Sequence, residues 1–251
     1  MIEIKRPEEI GRMRRSGRVA AQVLAAVREH VKPGITTQEL DDVAKEMIRK
    51  LGARSAFLNY RGYPRYICVS INEEVVHGIP GTRRIKEGDI VSIDVGVVCD
   101  GYIGDNAATV AVGKVDPEIL RLVRTTEEAL YAAIDRIRPG RRLGEVGYAI
   151  ETTARRAGFS VVREFVGHGV GRHLHEDPQV PNFGPPESGP VLVEGMTLAI
   201  EPMLNLGSDA VVVKEDGWTA VTADGSPSAH FEHTVVVSSG VAEILTCAGK
   251  K

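Results

Sequence analysis

Asp89-Ile-Val-Ser-Ile-Asp94-Val-Gly-Val-Val-Cys-Asp100-Gly101-Tyr-Ile-Gly-Asp105-Asn-Ala107 reads as two largely apolar strands joined by a tight turn. Asp-Gly suits the centre of a two-residue hairpin, because both positions of a type I′ turn need positive φ. If Asp100 and Gly101 take those positions, Asp94 pairs with Ala107, and Asp105 lies two residues along the same face. A three-residue loop would instead put the two aspartates on opposite faces. On one face each charge raises the other's pKa, and a cation is the simplest reason to hold them together. Two unrelated surface aspartates beside a turn remain the plainer alternative on these residues alone.

Upstream of the hairpin, Ile10, Met13, Ala20, Val23, Leu24 and Val27 recur at helical spacing after Pro7, and Pro33-Gly34 ends that helix. Thr36 and Glu39 form a capping box that opens a second helix, which stops at Gly52. Downstream, Asp116-Pro117 opens a helix that Pro139-Gly140 ends, and another runs from about Leu143 to Gly158. Gly34 to Gly140 and Gly52 to Gly158 are each 106 residues apart. The equal spacing predicts a duplicated unit of two helices followed by strands. Residues 1–251 would form one domain with halves at about 7–112 and 113–237 and a cleft between them. Strands are expected at 67–71, 89–98, 161–166, 196–200, 211–213 and 231–237, with Asp216-Gly217 as a second hairpin turn. The layout is α+β with a largely antiparallel sheet.

Three residues of the second half extend the carboxylate pair. Glu201 follows Met196-Thr-Leu-Ala-Ile200, and Pro202 stops the strand and fixes the carboxylate at its tip. Glu232 stands in Ala229-His-Phe-Glu232-His-Thr-Val-Val-Val237, where a buried charge would need a partner or a metal. His168 lies in Phe165-Val-Gly-His168-Gly-Val-Gly171, whose glycines would let the backbone turn tightly and leave the imidazole accessible. Asp94, Asp105, Glu201 and Glu232 with a neutral His168 carry a charge of about −4, which two divalent ions would cancel with room for a bridging water or hydroxide. Oxygen-rich ligation with one nitrogen and no thiolate suits Co, Mn, Fe or Zn in a hydrolytic site better than a structural zinc site.

The bulk composition, 43% hydrophobic and 26% charged over 251 residues, is that of an ordinary globular chain. No apolar run approaches the roughly 20 residues of a membrane helix, and Met1 to Arg15 is charged rather than signal-like, so a cytoplasmic location is expected. Cys68, Cys99 and Cys247 are widely spaced and match neither a disulfide framework nor a zinc motif. A net charge of −3 gives no general drive toward DNA or anionic lipid. Arg12, Arg14, Arg15 and Arg18 form one basic stretch, read first as a solvated helix face and second as a transient ribosome contact.

At these residues the sequence resembles the methionine aminopeptidases, and among them the short bacterial type I form. The motifs that carry the likeness are Val76-His77-Gly-Ile-Pro80, Asp89 to Asp94, Asp100-Gly101 to Asp105, Gly167-His168-Gly-Val-Gly171, His175-Glu-Asp-Pro178, Ala199-Ile-Glu201-Pro202 and Phe231-Glu232-His233-Thr234. The resemblance implies the pita-bread fold of creatinases and aminopeptidases, two pseudo-twofold-related αβ halves around a curved, largely antiparallel sheet. It implies that Asp94 chelates one metal, that Asp105 and Glu232 bridge two, and that His168 and Glu201 complete the other. The implied reaction removes the initiator methionine from nascent polypeptide N-termini when the second residue is small. A hydroxide bridging two divalent metals would attack the peptide carbonyl, with Glu201 the candidate proton relay. His77 and His175 would lie outside the metal shell and contact substrate.

Tyr60, Tyr63, Cys68 and Trp218 match the family's methionine pocket. Leu174 stands where phenylalanine is common, and Phe57 where a small residue or cysteine often sits, so the pocket keeps its apolar chemistry and changes shape. Only 33 positions separate His168 from Glu201, too few for the helical insertion of type II members. The chain also lacks the cysteine-rich N-terminal extension of eukaryotic type I enzymes. A monomer is expected, with no membrane and no specific DNA partner. Prolidase-type enzymes of the same fold would share the five ligands, and they usually carry a further N-terminal domain.

Overall fold

Pro7 has no N–H to leave unpaired in a first helical turn, and Glu9 reaches back to accept from Arg6 N at 2.9 Å. Helix α1, Pro7–His30, follows and buries Met13, Ala20, Val23, Leu24 and Val27, the face expected from the spacing. The capping box at Thr36 forms in full, Glu39 N donating to Thr36 Oγ1 at 3.2 Å and Thr36 N to Glu39 Oε2 at 2.7 Å, and it opens α2, Thr37–Lys50. Asp116 caps α3, Pro117–Ile134, by accepting from Glu118 N, and α4 spans Gly144–Arg156. A computed structural model describes residues 1–247 of the chain.

The 106-residue spacing extends beyond helix ends. Gly34 N donates to Ile85 O and Gly140 N to Leu192 O, at 2.8 and 2.9 Å. Ile85 N returns a bond to Ile35 O, as Leu192 N does to Arg141 O, at 2.8 and 2.7 Å. Bridges Thr36–Arg84 and Arg142–Val191 sit beside them. The helix-side partners keep the offset of 106, and the strand-side partners differ by 107. The same hydrogen-bonded clasp therefore closes each helix pair onto the segment leading into the sheet.

Both helix pairs pack in one core against a nine-stranded antiparallel sheet. Its main order is Arg54–Ser55, Ile90–Cys99, Tyr102–Ala111, Glu232–Val236, Thr197–Ile200, Gly167–Gly169 and Glu176–Val180. Cys68–Ile71 also pairs with Ile90–Cys99, and Glu243–Ile244 with Glu232–Val236. The hairpin has the two-residue register, with Asp94 opposite Ala107 and Cys99 opposite Tyr102. Asp100 and Gly101 hold φ of 52° and 76°, as a type I′ turn requires. Strand Tyr102–Ala111 meets α1 closely at Gly104, where a Cβ would lie 2.6 Å from the Ser16 and Gly17 backbone.

Two expected elements differ. The run 161–166 is strand only at Ser160–Val161, because Arg163 turns outward to pair with Glu151 and Asp209. The second hairpin closes at Lys214 N to Thr219 O, 2.8 Å, which leaves a four-residue loop rather than Asp216-Gly217 alone. Asp216 organises that loop by accepting from Trp218 N and Thr219 N. Of the basic stretch, Arg14 pairs with Glu243 at 2.6 Å and Arg15 with Asp100 at 2.5 Å, which makes it a solvated and partly paired face. No helix of the described residues is long and apolar enough to cross a membrane.

Candidate metal centre and substrate cavity

Register aligns the acidic residues. Ala107 is opposite Asp94 on one side and opposite Glu232 on the other, so Asp94, Asp105 and Glu232 share one face across three strands. Thr234 fixes Asp105 by accepting from its N at 3.1 Å and donating to its O at 2.8 Å. Further along the sheet His168 is opposite Ala199, two residues before Glu201, and His168 Nε2 lies 3.5 Å from Glu201 Oε1. Ligand atoms of Asp105, His168 and Glu232 lie within 4.8 Å of one another. Asp94 and Glu201 also stand at the 107-residue offset, so the halves supply one carboxylate each from equivalent positions.

These groups fit a cation. Asp105 and Glu232 are each 3% exposed, and Asp94 Oδ1, Asp105 Oδ1 and Glu232 Oε1 have no donor among the described residues. Burying a carboxylate oxygen unpaired costs several kcal/mol, which a bound ion offsets. Burial pushes the Asp94 carboxyl up to about 7. Burial also raises Asp105, Glu201 and Glu232 well above the usual carboxylate range, and the neighbouring carboxylates add to the rise. Burial lowers His168 to about 3, which keeps the ring neutral. Its Nδ1 donates to Gly169 O at 2.8 Å, so Nε2 is free as a ligand atom. The glycines beside His168 do not make a tight turn; they lie in strand Gly167–Gly169, where a Cβ would collide with the backbone of Ala199 or Asp177. His168 is accordingly buried and lines the cavity.

The raised carboxyls make a pH prediction. In chelated protein the fold holds protons that an unfolded carboxyl loses near about pH 4. Below about pH 6.5 the buried His77, His168, His230 and His233 oppose this, since the fold keeps them neutral while an unfolded imidazole is protonated. The carboxyls therefore dominate only at higher pH, where the folded state binds more protons and stability falls as pH rises. The melting temperature of chelated protein is expected to drop as pH rises above about 7, and added divalent ion to raise it more at the higher pH. A melting temperature that climbs with pH above about 7 in chelated protein would contradict this.

Above the carboxylates is a cavity of about 200 Å³, below the roughly 300–1,000 Å³ of sites for drug-sized ligands. It admits one side chain and the bond beside it. Cys68 is the sheet partner of Asp94, and burial keeps its thiol protonated, so it forms an apolar wall next to the carboxylates. Tyr63 is buried and donates to Ile67 O and Gly78 O, both at 3.0 Å. Its ring meets Trp218 edge-on at 5.1 Å and Phe57 at 6.5 Å. Phe57 fits because Gly96 beneath it has no side chain. Leu174 lines the cavity beside them.

His77 holds a φ of 60°, uncommon outside glycine, and stacks edge-on between Phe165 and Trp218. Burial lowers His77 to about 4. His175 sits 4.3 Å from His168, ring to ring, and its Nδ1 lies 2.7 Å from the Tyr60 hydroxyl. All twelve site residues expected from sequence line this cavity. Sequence reasoning passed over Arg61, at its rim with a φ of 48°, and His230, buried behind Glu201. Alternation could have found His230, which stands two residues before Glu232.

The loop carrying His175 is tied to the N-terminal segment. Lys5, with 1% of its side chain exposed, pairs with Glu176 at 2.6 Å and with the more exposed Glu3 at 2.9 Å. Glu176→Ala is expected to cost about 3 kcal/mol in urea denaturation, because it leaves a buried ammonium short of its main partner. Lys5→Met in that background should recover most of the loss. Equal stability of Glu176→Ala and the parent would show the pair to be idle.

An antiparallel sheet that brings four carboxylates and a neutral imidazole to the floor of a one-residue cavity defines a metal-dependent hydrolase. The profile of the metallopeptidase family M24 matches residues 11–239. The chain is 50% identical to methionine aminopeptidase 1 of Bacillus subtilis, over 98% of this chain and 99% of the relative. It is 48% identical to the methionine aminopeptidase of Escherichia coli, over 98% and 94%. The chain belongs to metallopeptidase family M24, among its methionine aminopeptidases. The crystal structure of a Thermotoga maritima methionine aminopeptidase superposes with a TM-score of 0.97 at 53% identity, over 98% of this chain and 99% of that one. A prolidase from Pyrococcus furiosus, 23% identical, shares the fold with a TM-score of 0.79, and this chain spans 66% of its length. The pita-bread expectation holds, and divalent metal use follows from the family.

Proposed function

We propose that the chain removes methionine from the N-termini of nascent polypeptides whose second residue is small. The observation that carries this is the meeting, in one small cavity, of the buried carboxylate floor with the wall of Tyr63, Cys68, Phe57, Leu174 and Trp218. Aromatic faces around a thioether are favourable by roughly 0.3–1.5 kcal/mol per contact, which suits a methionine side chain.

Asp94, Asp105, His168, Glu201 and Glu232 would hold two divalent ions, with Co, Mn, Fe and Zn all compatible with the donor set. When bound, the ions supply Lewis acidity, activating the attacking water and polarising the peptide carbonyl. The chain's own groups do the rest. Glu201 takes the proton from the attacking water and passes it to the leaving amine. His175, steadied by the Tyr60 hydroxyl, and His77, fixed by its backbone and by two aromatic rings, donate to the substrate and to the charge developing on its oxygen. Tyr60, Tyr63, Cys68, Leu174 and Trp218 hold the methionine side chain and so align the bond beside it. The reading takes residues 1–251 as one catalytic unit, its halves at about 7–112 and 113–237 meeting at the site, acting as a cytoplasmic monomer that touches the ribosome only transiently.

The deciding assay compares Met-Ala-Ser with Ala-Pro-Ala, with and without added divalent metal. Cleavage of the first alone, dependent on metal, is expected. No cleavage of Met-Ala-Ser under any metal would end the proposal, and cleavage of Ala-Pro-Ala would favour a proline-directed enzyme of the same fold.

A further inference from the structure

His230 carries a buried ring nitrogen with no partner among the described residues. The residue is 2% exposed, and its Nε2 finds no hydrogen-bond partner among the described residues. That nitrogen lies 3.9 Å from Glu201 Oε2, while Glu201 Oε1 lies 3.5 Å from His168 Nε2. Glu201 thus stands between two imidazoles, with one carboxylate oxygen toward each.

The backbone beneath His230 is pinned. Thr109 Oγ1 accepts from His230 N at 2.9 Å and donates to His230 O at 2.8 Å, and Ser92 Oγ lies 2.8 Å from the same hydroxyl. This clip sits where the chain leaves strand Ser228–His230, paired with Met203–Asn205, and enters Glu232–Val236 in the large sheet. Met203, the register partner of His230, follows Pro202 and so belongs to the same turn as Glu201. Backbone contacts on both segments therefore fix the imidazole against the carboxylate. At 3.9 Å the ring nitrogen is a small side-chain shift from a hydrogen bond to Glu201, and ligating carboxylates are commonly held by such a partner.

We propose that His230 is a positioning residue for Glu201: its neutral imidazole, with the proton on Nε2, donates to Glu201 Oε2 and so turns Oε1 toward His168 and the metal position. The inference rests on the reading of Glu201 as a metal ligand. It assigns His230 no contact with substrate.

The test titrates Co²⁺ alone into chelated protein, followed by calorimetry and by visible absorption, for the parent, His230→Leu, His230→Phe and His230→Gln. Glu201→Gln and the double variant His230→Leu/Glu201→Gln complete the series. The two variants without a donor should bind Co²⁺ about 10–100-fold more weakly, the usual effect of losing such a partner. His230→Gln, whose amide can still donate, should stay within about threefold of the parent. His230→Leu should add little to the loss caused by Glu201→Gln, because the two act as a unit. Melting of the chelated forms checks folding, and His230→Phe serves if His230→Leu does not fold. Parent-like affinity in the donorless variants, with Glu201→Gln weakened, overturns the proposal. A His230→Gln as weak as His230→Leu overturns the donor role. If Glu201→Gln itself binds as the parent does, the ligand reading has failed and the proposal falls with it.

Discussion

Asp105→Ala is expected to lower kcat/KM for Met-Ala-Ser by about 10³-fold, because several kcal/mol of transition-state stabilisation depend on metal held at this position. Asp105 occupies the centre of the carboxylate line, two residues from Ala107, which is opposite both Asp94 and Glu232. It is also one of three residues whose ligand atoms converge within 4.8 Å. Its removal disrupts the whole donor set. Stability should move the other way. Asp105 is 3% exposed with an unpartnered Oδ1, and burial with the Asp94 charge beside it raises its carboxyl. Chelated Asp105→Ala should therefore melt no lower than the chelated parent at neutral pH, a stability-for-function exchange expected where a site buries like charges. Asp42→Ala, on the exposed face of α2, is the control and should leave kcat/KM within about twofold. Asp105→Ala retaining more than a tenth of parental activity would remove Asp105 from the metal centre.

Much of this site could be read along the chain because hairpin register is a local property. The two-residue turn at Asp100-Gly101 decides on which face Asp94 and Asp105 fall, and the observed pairing of Asp94 with Ala107 follows from it. The helix plan was equally local, since caps at Thr36 and Asp116 and left-handed glycines at 34 and 140 carry their own geometry. The third carboxylate of the line was harder. Its place depends on Glu232 pairing with Ala107 across more than a hundred residues, and local periodicity contains no term for that pairing.

Arg61 and His230 escaped for a related reason. Arg61 reaches the cavity only through an irregular turn, and His230 comes to lie behind Glu201 only because its strand changes sheets at Phe231. The glycines around His168 were recognised as necessary and assigned the wrong cause. They serve close strand packing, which depends on neighbours that sequence does not display. Asp216 shows the same limit, since a turn-forming pair marks a reversal of the chain without giving the length of the loop.

Glu201→Gln is expected to reduce kcat by about 10²–10⁴-fold with metal saturating, the range of a lost acid–base group. The substitution keeps volume and one oxygen donor, so it separates two roles that alanine would remove together. If Glu201 only held metal, raising the metal concentration would restore kcat, because the loss would be one of occupancy. If it also moves the proton, kcat stays low at any concentration, since an amide cannot accept a proton from water and return it to the amine. The structure gives reason to expect the second outcome. Glu201 stands at the strand tip fixed by Pro202, and its backbone O accepts from Asn182 at 3.1 Å. One of its oxygens lies 3.5 Å from His168 Nε2 and the other faces the interior beside His230. Burial and the neighbouring Asp94 and Asp105 charges favour its protonated form, and bound cations pull the other way. A carboxyl under two opposed influences of that size can take up and release a proton within one turnover. Measuring kcat for Glu201→Gln across a metal titration decides the matter, and full recovery at high metal would leave Glu201 a ligand alone.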